Sequence, residues 1–167
     1  MSRLDLPWNL PFTHPISLIV TWFGAGLMPR MPGTWGAAAA LPCAWVIVEQ
    51  FGLVGLWIAT VLAFFLGWWA CFVVLSQVKD GASHDPGLVV IDEVAGQWMV
   101  LLAVPLNPTA YLLAFVLFRL FDIWKPWPIR HLESALPPAF AIMADDVVAG
   151  LYASLGFLAI SIGLHYV

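Results

Sequence analysis

Apolar residues run along this chain in long blocks broken at a few polar points. Blocks of this kind predict helices that are covered by apolar surroundings on every side. From Trp35 to Leu75 the one charged residue is Glu49, and Glu49-Gln50-Phe51-Gly52 is a turn signal. The run therefore divides into a helix over 35–48 and a helix over 53–75. A third helix is expected over 88–104, with Asp92 and Glu93 in its first turns. Pro105-Leu106-Asn107-Pro108 is a tight neutral turn, and a fourth helix follows over 109–124. Ala139–Met143 leads into Asp145-Asp146, which open a fifth helix reaching about Leu164. Ahead of these, Ile16–Leu27 is apolar for only about 12 residues, where a span needs roughly 20. It predicts a re-entrant or interfacial helix. Residues 1–15, with Pro7, Pro11, Pro15 and Trp8, read as an interfacial arm. The segments 76–86 and 125–138 read as polar loops, the second holding Lys125, Arg130, His131 and Glu133.

Composition turns this pattern into a class. The 167 residues are 62% hydrophobic and 10% charged, against roughly 25% charged in soluble domains. The expectation is an all-α integral membrane helical bundle of about five spans plus the short N-terminal helix. It forms one domain over residues 1–167, since no repeat or linker divides it. Ten Trp residues suit broad interfacial belts. No basic run or stripe is present, which argues against a nucleic-acid partner. Cys43 and Cys71 lie inside apolar runs without metal-site spacing and read as small buried hydrophobes. The N-terminus shows no signal-peptide pattern.

Five spans also sort the charges. Arg3, Arg30, Lys79, Arg119, Lys125 and Arg130 all fall on the side where the first helix starts. Asp80, Asp85, Asp92, Glu93, Asp122, Asp145 and Asp146 fall there too, leaving Glu49 and His165 on the far side. The positive-inside rule makes the charged side cytoplasmic. Nearly all the reactive side chains thus share one layer.

Within that layer, Asp92-Glu93 is a carboxylate pair inside an apolar helix, costly unless a cation neutralises it. Mg2+ takes carboxylate oxygens readily. Protonated or Arg-paired carboxylates with a packing role are the plainer alternative. Gly96, one turn on, would let another helix approach closely. Asp145-Asp146, with Gly150 beyond, repeats the acidic-pair-then-glycine pattern, although helix capping would explain it too. Arg119, Asp122 and Lys125 recur at i, i+3 and i+6 if the fourth helix continues to Pro126, which keeps them near one face. Two cations around one carboxylate suit a phosphate and its metal ion; a snorkelling helix end would explain them equally. Gly33-Thr34-Trp35-Gly36 offers backbone N–H groups and the Thr34 hydroxyl at a helix start, where a phosphate oxygen or a plain Pro-Gly turn would fit. His84-Asp85-Pro86 offers a histidine for proton transfer, with Asp85 to orient it or bind metal, although a lone loop histidine is more often incidental. The candidate metal ligands are Asp92, Glu93, Asp122, Asp145 and Asp146. The candidate phosphate contacts are Thr34, Arg119 and Lys125. Together the set points to phosphoryl chemistry on a lipid headgroup.

Five blocks in order sharpen this. Gly24-x-Gly26-Leu27-x-Pro29-x-x-Pro32-Gly33-Thr34-x-Gly36 comes first, then His84-Asp85-Pro86 and Asp92-Glu93-x-x-Gly96. Arg119-x-x-Asp122-x-x-Lys125-Pro126-x-Pro128-Ile129 and Asp145-Asp146-x-x-Ala149-Gly150 follow. The chain resembles the phosphatidylglycerophosphatase A family over about residues 16 to 155. One departure is Ala37, where the resemblance would place Ser. The resemblance implies a helical Mg2+-dependent phosphatase of the bacterial inner membrane. It implies hydrolysis of phosphatidylglycerophosphate to phosphatidylglycerol and inorganic phosphate. A CDP-alcohol phosphotransferase or acid-phosphatase-type lipid phosphatase would need motifs that this chain lacks. A small cation or proton transporter using the intramembrane carboxylates is the alternative from another class. It would be expected to place ionisable groups near the midplane.

Overall fold

The structure, a computed structural model, describes residues 6–78 and 87–165. Its elements are α1 (Pro15–Val20), a 3-10 turn (Ala25–Leu27), α2 (Pro32–Leu75), α3 (Ile91–Leu101), α4 (Pro108–Trp124), α5 (Ile129–Ala135) and α6 (Pro138–His165). Proline opens α1, α2, α4 and α6. At a helix start its missing N–H is no loss and its fixed φ suits the helix. Among the described residues there is no sheet, only an isolated bridge between Trp8 and Val78. The fold is all-α, as expected.

The break expected near Glu49–Gly52 falls at Gly52, where φ is 67° and ψ is −171°. Those angles leave the helix, and a residue with a Cβ would be strained there. A Cβ built on Gly55 would lie 3.5 Å from the Ile47 side chain, whereas residues eight apart in a straight helix are about 12 Å apart. α2 is therefore a hairpin of two arms, 32–51 and 53–75. Both arms pack on α3. Gly36 of the first arm sits against Val90, and Gly67 of the second sits against Ile91 and Met143. The Trp98 indole N–H donates to the Ala40 carbonyl at 2.9 Å.

α3 is the central element, with eight of its eleven residues buried. It is shorter than the expected 88–104: at about 16 Å it falls well below a bilayer core of roughly 30 Å. Among the described residues two helices, α2 and α6, are long and apolar enough to cross a membrane. The inner faces are built largely from small residues, Gly33, Gly36, Ala37, Ala40 and Ala44 on the first arm of α2. The outer face of its second arm carries exposed Val54, Ile58, Leu62, Phe65, Trp69 and Phe72. Small residues inside and large apolar ones outside reverse the usual partition of a water-soluble domain.

Several boundaries differ from the sequence expectation. Ile16–Leu27 is not one helix. It is α1 and the 3-10 turn, separated by left-handed Trp22, Phe23 and Gly24. The described part of the N-terminal arm packs against the body of the protein. Trp8 is buried, its indole donating to Ser17 Oγ at 3.0 Å. This N-terminal unit pins the entry to α3, because the Val90 N–H donates to the Val20 carbonyl at 2.8 Å. α6 begins at Pro138, so Asp145 and Asp146 lie about two turns inside it and do not cap it. Part of the expected loop after α4 folds as α5. Cys71 is buried but Cys43 faces outward.

Candidate active site

The starts of α2, α3 and α6 and the end of α4 converge on one cavity of about 540 Å³. Glycines make that convergence possible. A Cβ on Gly96 would meet the Asp146 carbonyl and the Phe118 ring, and one on Gly150 would meet the Gly96 carbonyl. α3 and α6 thus cross backbone to backbone, each lending a glycine, one turn beyond the acidic pair of each helix. The crossing brings the two pairs face to face. Ligand atoms of Asp92, Glu93 and Asp146 all lie within 4.8 Å of one another. Each of these residues has one buried oxygen without a hydrogen-bond partner: Asp92 Oδ1, Glu93 Oε2 and Asp146 Oδ2. Three carboxylates this close repel each other, and buried acceptors left unmet are costly.

α4 supplies the opposing charge. Arg119 forms an ion pair with Asp122 on its own helix, and its Nη1 lies 3.7 Å from Glu93 Oε1. Arg119 Nε is buried without a hydrogen-bond partner. Asp122 is buried beside the cluster and lines the cavity. Lys125 is not the last helical residue on that face. It is the C-cap of α4, in the left-handed region with φ 45°. The cap swings it toward α6, where Nζ sits 2.6 Å from Asp145 Oδ2. The other oxygen of Asp145 accepts the Asp146 N–H at 3.0 Å. Met31, the N-cap of α2, is left-handed as well, with φ 52°. Both of these unfavourable non-glycine conformations lie in the cavity wall, a placement common at functional sites.

The candidate residues therefore divide. Asp92, Glu93 and Asp146 come together as one cluster, with Asp122 adjoining it through Arg119. Asp145 lines the same cavity but is engaged with Lys125. Thr34 is not in the cavity wall; its neighbour Gly33 is, and the Thr34 hydroxyl is buried without a hydrogen-bond partner. His84 and Asp85 lie outside the described residues, though Gly87 just after them lines the cavity. Gly33, expected only as part of a helix-start loop, also meets the acidic cluster, and Gln97 carried no signal in the sequence. Gly33 lies so close to the Glu93 carboxylate that a Cβ would displace it. Gln97 is fully buried on α3, and neither amide atom has a partner.

Known proteins resemble this chain along nearly its whole length. Residues 18–161 match the family Phosphatidylglycerophosphatase A. The chain is 40% identical over 153 residues to the phosphatidylglycerophosphatase A of Haemophilus influenzae, covering 91% of this chain and 92% of that one. It is 37% identical over 159 residues to the Escherichia coli protein of the same name, covering 95% of this chain and 89% of that one. A Bacteroides thetaiotaomicron relative, 39% identical over 143 residues (81% of this chain, 86% of its own), carries the provisional name phosphatidylinositol-3-phosphatase. No solved structure matches the chain. A family match spanning the whole site, with two such relatives along nearly their full length, shows that the chain belongs to the phosphatidylglycerophosphatase A family.

Proposed function

We propose that this chain is a Mg2+-dependent lipid phosphatase. It hydrolyses phosphatidylglycerophosphate to phosphatidylglycerol and inorganic phosphate, at the bacterial inner membrane and on the cytoplasmic side. Membership of a family of lipid phosphatases supports the reaction class. The observation that carries the reading is the trio of buried, unpartnered carboxylate oxygens facing Arg119 and Lys125 in one cavity. The donor set fits a hard divalent cation, because it offers only carboxylate oxygens, held close enough to share one ion. Asp92, Glu93 and Asp146 would hold it, with Asp122 alongside. Bound there, Mg2+ supplies a Lewis acid that activates water and offsets charge on phosphoryl oxygens.

The protein's own part is positioning and charge. Arg119 presents a planar fork able to hold two phosphoryl oxygens, and Lys125 a compact point charge in the same cavity wall. Asp122 keeps the Arg119 guanidinium aimed at the cluster. Asp145 does the same for Lys125. His84 and Asp85 remain the proposed proton-handling pair, supported by Gly87 in the cavity wall. The apolar outer faces of α2 and α6 support a membrane setting, where a lipid substrate reaches the cavity without leaving the bilayer.

The decisive measurement is phosphate release from phosphatidylglycerophosphate by the purified protein in detergent, with Mg2+ and with excess chelator. Release that stops with chelator and returns with Mg2+ is expected. Full activity in chelator would sink the metal assignment. Ion flux in vesicles without phosphate release would instead favour a transporter.

A further inference from the structure

A second cavity adjoins the first. Trp124, Lys125, Pro126, Trp127 and Arg130 enclose a groove of about 380 Å³ at the turn that follows α4. The left-handed cap at Lys125 creates it by reversing the chain, so that this one residue lines both the groove and the carboxylate cavity. The groove is held in shape. Arg130 Nη2 donates to the Trp124 carbonyl at 3.1 Å. From the other side, the Tyr152 hydroxyl donates to the Trp127 carbonyl at 3.1 Å, tying the turn to α6. The bond to Trp124 uses one of the five N–H donors of Arg130. Trp127 is 82% exposed and Trp124 59% exposed, the placement of indoles that sit at headgroup depth in a bilayer.

The chemistry of this wall names a ligand class. Arg130, beside a lysine that Asp145 already engages, selects an anion, and two outward indoles select an amphiphile at the membrane surface. The lipid proposed above as substrate carries two anionic groups one glycerol apart, a terminal phosphomonoester and an inner phosphodiester. Only the monoester reacts. Two adjoining pockets sharing one lysine match that pair. We propose that the groove binds the phosphodiester of the substrate lipid, with Arg130 as its specificity-determining contact. This rests on the phosphatase reading, and it adds that the enzyme measures the spacing between two phosphates.

The test uses the full chain in uncharged detergent micelles, with Arg130→Gln and Arg130→Lys as variants. Phosphatidylglycerophosphate carries both groups. Phosphatidic acid with the same acyl chains carries the monoester alone, and is followed as a substrate or, where it is not turned over, as a competitive inhibitor. Arg130→Gln should lower kcat/KM on the first about tenfold, mainly through KM, as expected for one charge-assisted hydrogen bond. It should leave phosphatidic acid within about twofold, which also shows that the variant is folded. Arg130→Lys should recover part of the loss. Phosphatidylglycerol, which has only the diester, should inhibit the wild type more strongly than Arg130→Gln. Equal loss on both lipids, or no loss on either, overturns the proposal. So does a loss seen only when anionic bulk lipid is added, which would mean that a neighbouring lipid occupies the groove. A wild-type protein that releases no phosphate from phosphatidylglycerophosphate fails the activity reading itself, a result distinct from any difference between the variants.

Discussion

Gly33 is where one methyl group separates function from stability. A Cβ there would fall on the Glu93 carboxylate, the far end of a flexible side chain. The side chain can swing aside at little cost, but it then leaves the cluster with Asp92 and Asp146. Gly33→Ala should therefore cut turnover and weaken Mg2+ binding, read as lost Mg2+-dependent thermal stabilisation. The melting temperature without metal should barely change. A parallel fall in metal-free stability would mean that Gly33 is a packing glycine only. Arg119→Lys tests the fork, since an ammonium cannot take two oxygens in a fixed plane. Its rate should drop roughly 10²–10³-fold, by analogy with losing one oxyanion donor. Near-wild-type hydrolysis would return Arg119 to a structural ion pair. At this scale the acidic residues were legible because a carboxylate in an apolar run needs a cation or a proton. The partnership of Lys125 with Asp145 was not. It depends on a left-handed cap and on where α6 begins, and neither follows from residue spacing. The closeness of Gly33 to Glu93 is a contact between distant segments, invisible to any local pattern.

Among the elements, the crossing of α3 and α6 decides whether the acidic pairs meet. Here an added methyl has nowhere to go. At Gly96 it meets the Asp146 carbonyl and the Phe118 ring; at Gly150 it meets the Gly96 carbonyl and Met99 Cβ. Backbone cannot rotate away as a carboxylate can, so the helices must separate. Gly96→Ala and Gly150→Ala should each destabilise the fold by about 1–3 kcal/mol, the usual range for overpacking. Both should lose activity as well, by drawing Asp146 away from Asp92 and Glu93. Thermal melting in detergent beside phosphate release checks this, and an unchanged melting temperature for either variant would contradict the crossing. The acid-then-glycine repeat in the sequence foreshadowed the contact. The helices themselves were legible from Pro and Gly punctuation, down to the break at Gly52. α6 was placed too late because Asp145-Asp146 looked like a cap, although Pro138 carries the usual mark of a helix start. α5 escaped notice because seven mixed residues carry too little periodicity to register.

Among the described residues, charge gathers at one end of the molecule. The starts of α2, α3 and α6 and the end of α4 all line the cavity. The Gly52 bend, the turn after α3 and the end of α6 must then lie opposite. Among the described residues, Arg30, Arg119, Lys125 and Arg130 belong to the cavity end, and Glu49 alone carries charge toward the bend. Loops rich in Lys and Arg are retained on the cytoplasmic side of a bacterial membrane. With the cavity end on the cytoplasmic side, as proposed above, the two arms of α2, α3, α4 and α6 would alternate in direction, an odd number of passages between the cavity end and the C-terminus. α3 is too short to cross alone, so on that proposed topology its passage would include the turn after it, with the charged cavity end at the membrane surface. Reporter fusions at Glu49–Gly52, in the Leu106–Asn107 turn and after Val167 should all report the periplasm. A fusion within 131–136 should report the cytoplasm. The fusion after Val167 is the most demanding, because it counts every passage at once. A cytoplasmic signal there, with a periplasmic one at Leu106–Asn107, would mean that α6 does not cross. The Asp145-Asp146 pair would then sit on a surface helix, and the cavity would open to water along its side instead of at its mouth.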